Sequence, residues 1–260
     1  MAESWRTRIA RAEQLAAARD PAAPLVAFYA AILAIQARVH EAIRSRAIGS
    51  FDADVGPLAA QMPDLLRTVA ASGPPPLADD ARALAGAPPD QIEQMLRDYH
   101  REPSGTQFFA KALLQPYLES RFVTGSGVVT KTTPDPVTNG RCPRCGGAPQ
   151  VSVLLPGGDS ADGGVRQLQC AVCLHYWPFR RVVCAACGEE DERKLAYFHT
   201  PALDHLRVEA CDTCRRYVKG VDRTRLGLAV PLVDEVAGAA LDVWAREHGY
   251  EKIELNLVGV

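Results

Sequence analysis

The segments Cys142-Pro143-Arg144-Cys145-Gly146, Cys170-Ala171-Val172-Cys173, Cys184-Ala185-Ala186-Cys187-Gly188 and Cys211-Asp212-Thr213-Cys214 contain all eight cysteines of the chain. Each is a C-x-x-C pair. The third pair follows the first by 42 residues and the fourth follows the second by 41. Each unit therefore reads C-x-x-C, a spacer of 24 or 23 residues, and C-x-x-C, with the ten residues from Leu174 to Val183 between units. A period of this kind marks two related small modules in tandem.

Two thiolates three residues apart on a tight turn grip one tetrahedral ion, and a second such turn completes four ligands. Gly146 and Gly188 relieve the turn after the second cysteine, because glycine accepts a positive φ. Pro143 stiffens the first turn, giving a rubredoxin-type knuckle. A unit of about 40 residues supports only a marginal core, and a structural metal makes up the difference. One site is expected at Cys142, Cys145, Cys170 and Cys173, and another at Cys184, Cys187, Cys211 and Cys214. The rival, a cross-brace joining the first pair to the third, fits a duplicated unit poorly. A thioredoxin-like centre needs one pair in a βαβ setting, not four. Four thiolates suit zinc and mononuclear iron about equally. A closed four-sulfur shell leaves no open position for metal-activated hydrolysis.

Around this region the organisation changes. Residues 1–124 read as an all-helical domain. Leu25, Phe28, Tyr29, Ile32, Leu33, Gln36, Val39 and Ile43 form one face in which only Gln36 is polar. Trp5, Ile9, Ala12 and Ala16 give a shorter stripe. Pro63 suits a first helical turn, Asp90 and Glu93 are spaced as an N-cap and its N3 partner, and Phe108 to Phe122 form a last helix containing Pro116. Residues 125–140, rich in Gly, Ser, Thr and Pro, read as a linker. The two metal modules occupy 141–182 and 183–222, with strand-like runs at Val151–Leu155, Val165–Gln169, Leu195–Phe198 and Leu206–Val208. Residues 223–260 give a C-terminal helix, with the stripe Val233, Val236, Ala237, Ala240, Leu241 and Trp244, and an apolar tail that is a strand or a docked end. The expected fold is α+β and multidomain: a helical N-terminal domain, two tandem rubredoxin or zinc-ribbon-like β modules, and a C-terminal helix.

The 260 residues are 47% hydrophobic and 23% charged with net charge −2, which excludes disorder as the main state. The longest unbroken apolar run, Leu25 to Ile35, is shorter than the roughly 18 residues a membrane span needs. Glu3, Arg6, Arg8 and Arg11 do not make a secretory signal, so a cytoplasmic setting with reduced thiols is expected. Residues 141–223 carry twelve Lys or Arg against ten Asp or Glu. Two tetrathiolate sites, each worth −2 with a divalent ion, bring that balance of +2 to about −2, the wrong sign for binding nucleic acid. His175, His199 and His205 read as surface or hydrogen-bonding residues. Tyr176, Trp177 and Phe179 read as cover for the seam between modules, with an exposed partner anchor as the sharper alternative. Glu189 to Glu192 read as a solvated loop. No P-loop, G-x-S-x-G or H-E-x-x-H is present, so a non-enzymatic protein is expected.

Three strings carry a family resemblance. They are Cys142-Pro143-Arg144-Cys145-Gly146; the series Cys173, Trp177, Arg181, Cys184, Cys187; and Glu209-Ala210-Cys211-Asp212-Thr213-Cys214 with Tyr217 and Lys219. Over about 141–220 the chain resembles the formate dehydrogenase accessory protein FdhE family. The resemblance implies a cytoplasmic, chaperone-like maturation protein that binds the catalytic subunit of a molybdenum- or tungsten-dependent formate dehydrogenase. It also implies rubredoxin-like sites, which moves the preference toward iron over zinc, and it extends to the eight cysteines as ligands. Trp177, Arg181, Asp212 and Tyr217 match the pattern without an assigned role. A rubredoxin-like electron-transfer protein and a nucleic-acid-binding zinc ribbon are the alternatives.

Overall fold

The computed structural model describes residues 3–46, 49–123, 140–157 and 164–259. Helices α1 (Trp5–Ala16), α2 (Ala23–Arg44), α3 (Phe51–Ala59), α4 (Met62–Ser72), α5 (Pro75–Leu84), α6 (Pro89–Arg101) and α7 (Phe108–Val123) come first. The expected linker lies, apart from Gly140, outside the described residues.

Proline positions four of these helices: Pro24, Pro63, Pro75 and Pro89 lie in their first turns, where no intrahelical N–H is needed. α6 therefore differs from the sequence expectation. Its cap is Pro88, and Asp90 lies in the first turn, where its charge complements the helix dipole. α2 is the central helix. It is long and apolar enough to cross a membrane by length and composition, the one such helix among the described residues. Here it lies against α1 and α7 with Ile32, Leu33 and Val39 in the core. Its one polar core residue, Gln36, donates to Ala112 O (3.0 Å) and Gln115 Oε1 (3.2 Å).

The strands are β1 (Pro149–Leu155), β2 (Val165–Cys170), β3 (Tyr176–Pro178), β4 (Leu195–His199), β5 (Leu206–Cys211), β6 (Arg216–Asp222) and β7 (Glu251–Lys252). They form a single sheet in the order β3-β2-β1-β6-β5-β4, with β7 beside β6. Within each module the pairing is antiparallel, whereas β1 and β6 join the modules in parallel, Val151 opposite Lys219 through Leu154 opposite Asp222. The two four-cysteine modules are thus two halves of one sheet.

The C-terminal stripe is divided between α8 (Pro231–Ala237) and α9 (Ala239–Glu247), which meet at Gly238. A Cβ there would lie 2.7 Å from Leu206 Cδ1, so glycine lets the junction approach the sheet. The tail after β7 is docked, with Asn256 and Leu257 buried. One apolar core runs without a break from the helices into the first module, including Cys142, Cys170, Cys173, Leu168 and Trp177. A second, on the other side, packs Val151, Val153, Val208 and Tyr217 against α9.

Buried polar contacts tie these layers together. Arg8 donates two bonds to Glu119 (2.6 and 3.1 Å), joining α1 to α7. Asp234 on α8 accepts from Arg11 (2.5 and 3.0 Å), His205 (3.0 Å) and the Val230 N–H (2.7 Å). Gln115 continues the relay from Gln36 by donating to Ala171 O at 2.7 Å, inside the second cysteine knuckle. Gln115→Leu leaves that buried carbonyl without its donor, and a loss of about 1–3 kcal/mol is expected in chemical denaturation.

Candidate metal centres

The four knuckles share one backbone design. In the first, Cys142 N–H donates to Gly147 O (2.9 Å) and Gly146 N–H to Cys142 O (2.9 Å). In the third, Cys184 N–H donates to Glu189 O (2.9 Å) and Gly188 N–H to Cys184 O (3.0 Å), the same bonds one repeat later. The residue after the second cysteine has a positive φ in all four: Gly146 (74°), Leu174 (57°), Gly188 (77°) and Arg215 (59°). The glycines were legible as turn residues; Leu174 and Arg215 were not, since L residues avoid this region at a cost of roughly 1–2 kcal/mol. Each is held there by what surrounds it. Leu174 is buried, and Arg215 donates to His248 O (2.7 Å) and stacks over Tyr250. A Cβ at Gly146 or Gly188 would meet nothing within 4 Å, so alanine there carries only the backbone penalty. Gly146→Ala and Gly188→Ala are each expected to cost about 1–2 kcal/mol, read from the thermal unfolding of metal-loaded protein.

The knuckles bring the cysteines together in two groups. Cys142, Cys145, Cys170 and Cys173 form one and Cys184, Cys187, Cys211 and Cys214 the other, with the four Sγ atoms of each within 4.8 Å of one another. The grouping is first pair with second and third with fourth, not a cross-brace. None of the eight is in a disulfide. Sγ separations are 3.6 Å (Cys142–Cys173), 3.4 Å (Cys145–Cys170) and 3.8 Å (Cys184–Cys214 and Cys187–Cys211). A tetrahedral ion with bonds near 2.3 Å to sulfur requires an edge of about 3.8 Å. Backbone N–H groups point at sulfur as well, Val172 at Cys170 (3.3 Å) and Ala186 at Cys184 (3.4 Å). The donor set and its dimensions fit a mononuclear tetrathiolate ion in each group.

Charge leads to the same conclusion. S–H donation from Cys145, Cys170 and Cys173 holds the Cys142 thiol far below the ordinary thiol range, while burial pushes Cys170 up. In the second group burial raises Cys184 and Cys214; it opposes the lowering of Cys211, but the N–H groups of Cys214 and Thr213 and the thiols of Cys184 and Cys187 together outweigh it. Thiols in one cage cannot all ionise together on protein groups alone, whereas a cation lets every sulfur become a thiolate.

The groups differ in setting. Cys145 and Cys187 are exposed in both, but Cys214 is also partly exposed while its counterpart Cys173 is buried. No histidine belongs to either group. His175 offers its carbonyl to Cys170 N–H (2.9 Å), and His199 and His205 line a cavity elsewhere. Trp177 and Phe179 are packed in the core shared with the helices and the Tyr176 hydroxyl donates to Glu3 (2.9 Å), so these aromatics turn inward on the edge strand β3, away from the β1–β6 joint of the modules, and do not offer an exposed anchor. Asp212 accepts from Tyr250 (2.6 Å) and Arg215 (2.9 Å), and Tyr217 donates to Asp242 (2.8 Å). Glu189 does more than face solvent. It accepts from the Thr213 hydroxyl at 2.5 Å, clasping the third knuckle to the fourth, and that bond leads the causes that hold its carboxyl at about 2.

Two tetrathiol groups carried on one sheet over a helical base define the class: a protein with paired four-cysteine groups, each able to hold a metal ion. Residues 141–181 match the FdhE central domain and residues 182–258 the FdhE C-terminal domain. The match is confined to these two domains, 141–258, and does not extend to the helical part. The protein FdhE homolog of Aquifex aeolicus is 40% identical over 119 residues, 45% of this chain and 41% of that protein. The Pseudomonas aeruginosa homolog is 32% identical over 126 residues, 45% and 38% of the two chains. These matches span about two fifths of the relatives' length. The fold likeness reaches further. The crystal structure of the FdhE protein from Pseudomonas aeruginosa superposes with a TM-score of 0.71 at 21% identity, covering 99% of this chain and 96% of that one.

Proposed function

We propose that this chain is an accessory protein for a molybdenum- or tungsten-dependent formate dehydrogenase, acting in the cytoplasm by binding the catalytic subunit during its assembly. The observation that carries this reading is the FdhE-type match over 141–258 together with the two sulfur cages it contains. It is a binding role, not turnover. Cys142, Cys145, Cys170 and Cys173 hold one mononuclear ion and Cys184, Cys187, Cys211 and Cys214 the other, with iron preferred to zinc. A bound ion supplies four strong bonds per site and, if it is iron, a one-electron couple. The chain's own groups do the rest: the knuckle amides orient the sulfurs, and the helices of 1–124, the modules of 141–182 and 183–222 and the closing segment 223–260 form the surface offered to the client.

Anaerobic pull-down from cells making a formate dehydrogenase is expected to recover its catalytic subunit. Recovery of none under those conditions would overturn the reading. One observation favours a second role in electron transfer, the exposure of Cys145 and Cys187, each an edge through which a thiolate-bound iron could exchange electrons with a partner. Metal analysis with an optical spectrum on anaerobically purified protein separates the two. A colourless, zinc-loaded protein would remove the redox role.

A further inference from the structure

We propose that the cavity lying over the joint of the two modules binds a phosphate-class oxyanion. The cavity has a volume of about 510 Å³, within the range of small-ligand sites, and draws its walls from both halves of the sheet. Neither module alone contains it.

Its floor is a layered salt bridge. Glu209 is buried and accepts from Arg166 Nη2 (2.6 Å) on one oxygen and from Arg207 Nε (2.9 Å) and Nη2 (2.7 Å) on the other. Gly220 faces Arg207 across the sheet. A Cβ there would lie 2.5 Å from Glu209 Oε1 and 3.1 Å from Arg207 Nε, so glycine at this position lets the pair lie over strand β6. Arg166 spends its remaining donors on Ser152 Oγ (2.9 Å) and on the carbonyls of Arg180 (2.9 Å) and Val183 (3.0 Å). The inter-module loop is thereby strapped down, bringing Arg181 and Val182 into the wall. Arg207 also stacks on Tyr197, 5.2 Å from the ring centroid. Its guanidinium is fixed from below and from the side before any ligand arrives, which lowers the ordering cost of binding.

The charge balance favours an anion. Arg166, Arg181, Arg207 and Arg225 line the cavity with Asp204 and Asp222. Counting Glu209 in the floor, four guanidiniums face three carboxylates, before either His199 or His205 is counted. Asp222 is engaged close by with Thr224 N–H (2.9 Å) and Oγ1 (2.5 Å), and it stands 3.9 Å from Arg207 and 4.0 Å from Arg225. Convergent guanidiniums on a rigid support match the several oxygens of a phosphate, each of which can take paired N–H bonds.

The test is calorimetric titration of the metal-loaded full chain with inorganic pyrophosphate at low salt. Saturable one-to-one binding is expected, weakening as salt is raised. Arg207→Gln should weaken it at least about tenfold, the scale of one charged hydrogen-bond pair. Because that change also leaves Glu209 with a single partner, Arg225→Gln is the companion variant. Its side chain is largely exposed, so metal content and Tm should stay as in the parent while affinity falls severalfold. ADP and a phosphoserine peptide, titrated in parallel, tell a free phosphate ester from a phosphorylated chain, and binding of either supports the site. No binding of any of the three probes, or binding that both variants leave unchanged, overturns it. The outcome is independent of whether the chain serves a dehydrogenase.

Discussion

Cys142→Ser is expected to empty the first sulfur cage and to loosen the helical half of the molecule with it, whereas Cys214→Ser should empty only the second. The asymmetry comes from packing. Cys142, Cys170 and Cys173 belong to the same apolar core as Ile32, Leu33 and Leu113, and the adjacent knuckle carbonyl of Ala171 is the end of the Gln36–Gln115 relay. Loss of the ion frees three buried sulfurs, those of Cys142, Cys170 and Cys173, and the two turns the cage holds, and a structural site of this kind contributes folding free energy directly. The second cage has two sulfurs accessible to solvent, is absent from that core, and can open without parting the helices. Metal stoichiometry and far-ultraviolet melting of the two variants provide the check. The Cys142 variant should lose helical signal at a lower temperature than the Cys214 variant, with about one ion retained in each. Equal melting of the helices in both would show that the continuous core does not couple the halves.

Lys219→Met should be the most damaging change remote from the cages, with an expected loss of about 3–5 kcal/mol in denaturant unfolding. Lys219 is fully buried on β6 and lies among Glu235, Asp242 and Lys252, all buried, with its ammonium bonded to Asp242 and to the Glu235 carbonyl. Lys252 bonds Glu235 and sits 3.0 Å from Asp242, and Asn256 donates to Glu235 at 2.8 Å. Two cations and two anions balance, so removing one leaves a net charge in the interior. By comparison Arg67, on the surface beside Asp64, is expected to cost under about 1 kcal/mol on replacement by alanine. The acid side has a definite sign. Burial opposes the ionised form of Asp242, but Lys219 and Lys252 prevail and hold its carboxyl below the ordinary 3.8. Stability from such a group is present above that value and fades as the pH falls through the lower folded one. The deficit of Lys219→Met should therefore be full at neutral pH and shrink below about pH 4.

Much of this was legible in the sequence, and the gaps have physical causes. The four C-x-x-C pairs and the 42-residue offset give the grouping of sulfurs, because ligand chemistry tightly constrains local spacing. The stripe through Leu25 and Ile43 gives α2, because a buried helix needs one apolar face. α3 and α5 carry no clear signal: consecutive prolines such as Pro75 and Pro76 ordinarily interrupt a helix, although here they open one, and Phe51–Ala59 is too short for a clear period. The fusion of the modules was invisible. A parallel pairing of β1 with β6 joins residues some 68 positions apart, Val151 with Lys219, and leaves no local signature. The positive φ of Leu174 and Arg215 was hidden for the opposite reason, since nothing in those side chains announces a conformation that the surrounding fold imposes. The arginine cavity follows from the fusion and could not have been found without it.

That parallel seam has a consequence for how the chain can be divided. Were translation or proteolysis to stop after the first module, β1 would present a row of amides and carbonyls along one flank with no neighbour to receive them, an open rim of the sort that recruits foreign strands. The two halves look like independent beads in the sequence, yet each is the other's protection against clumping, and they should remain soluble only as a pair.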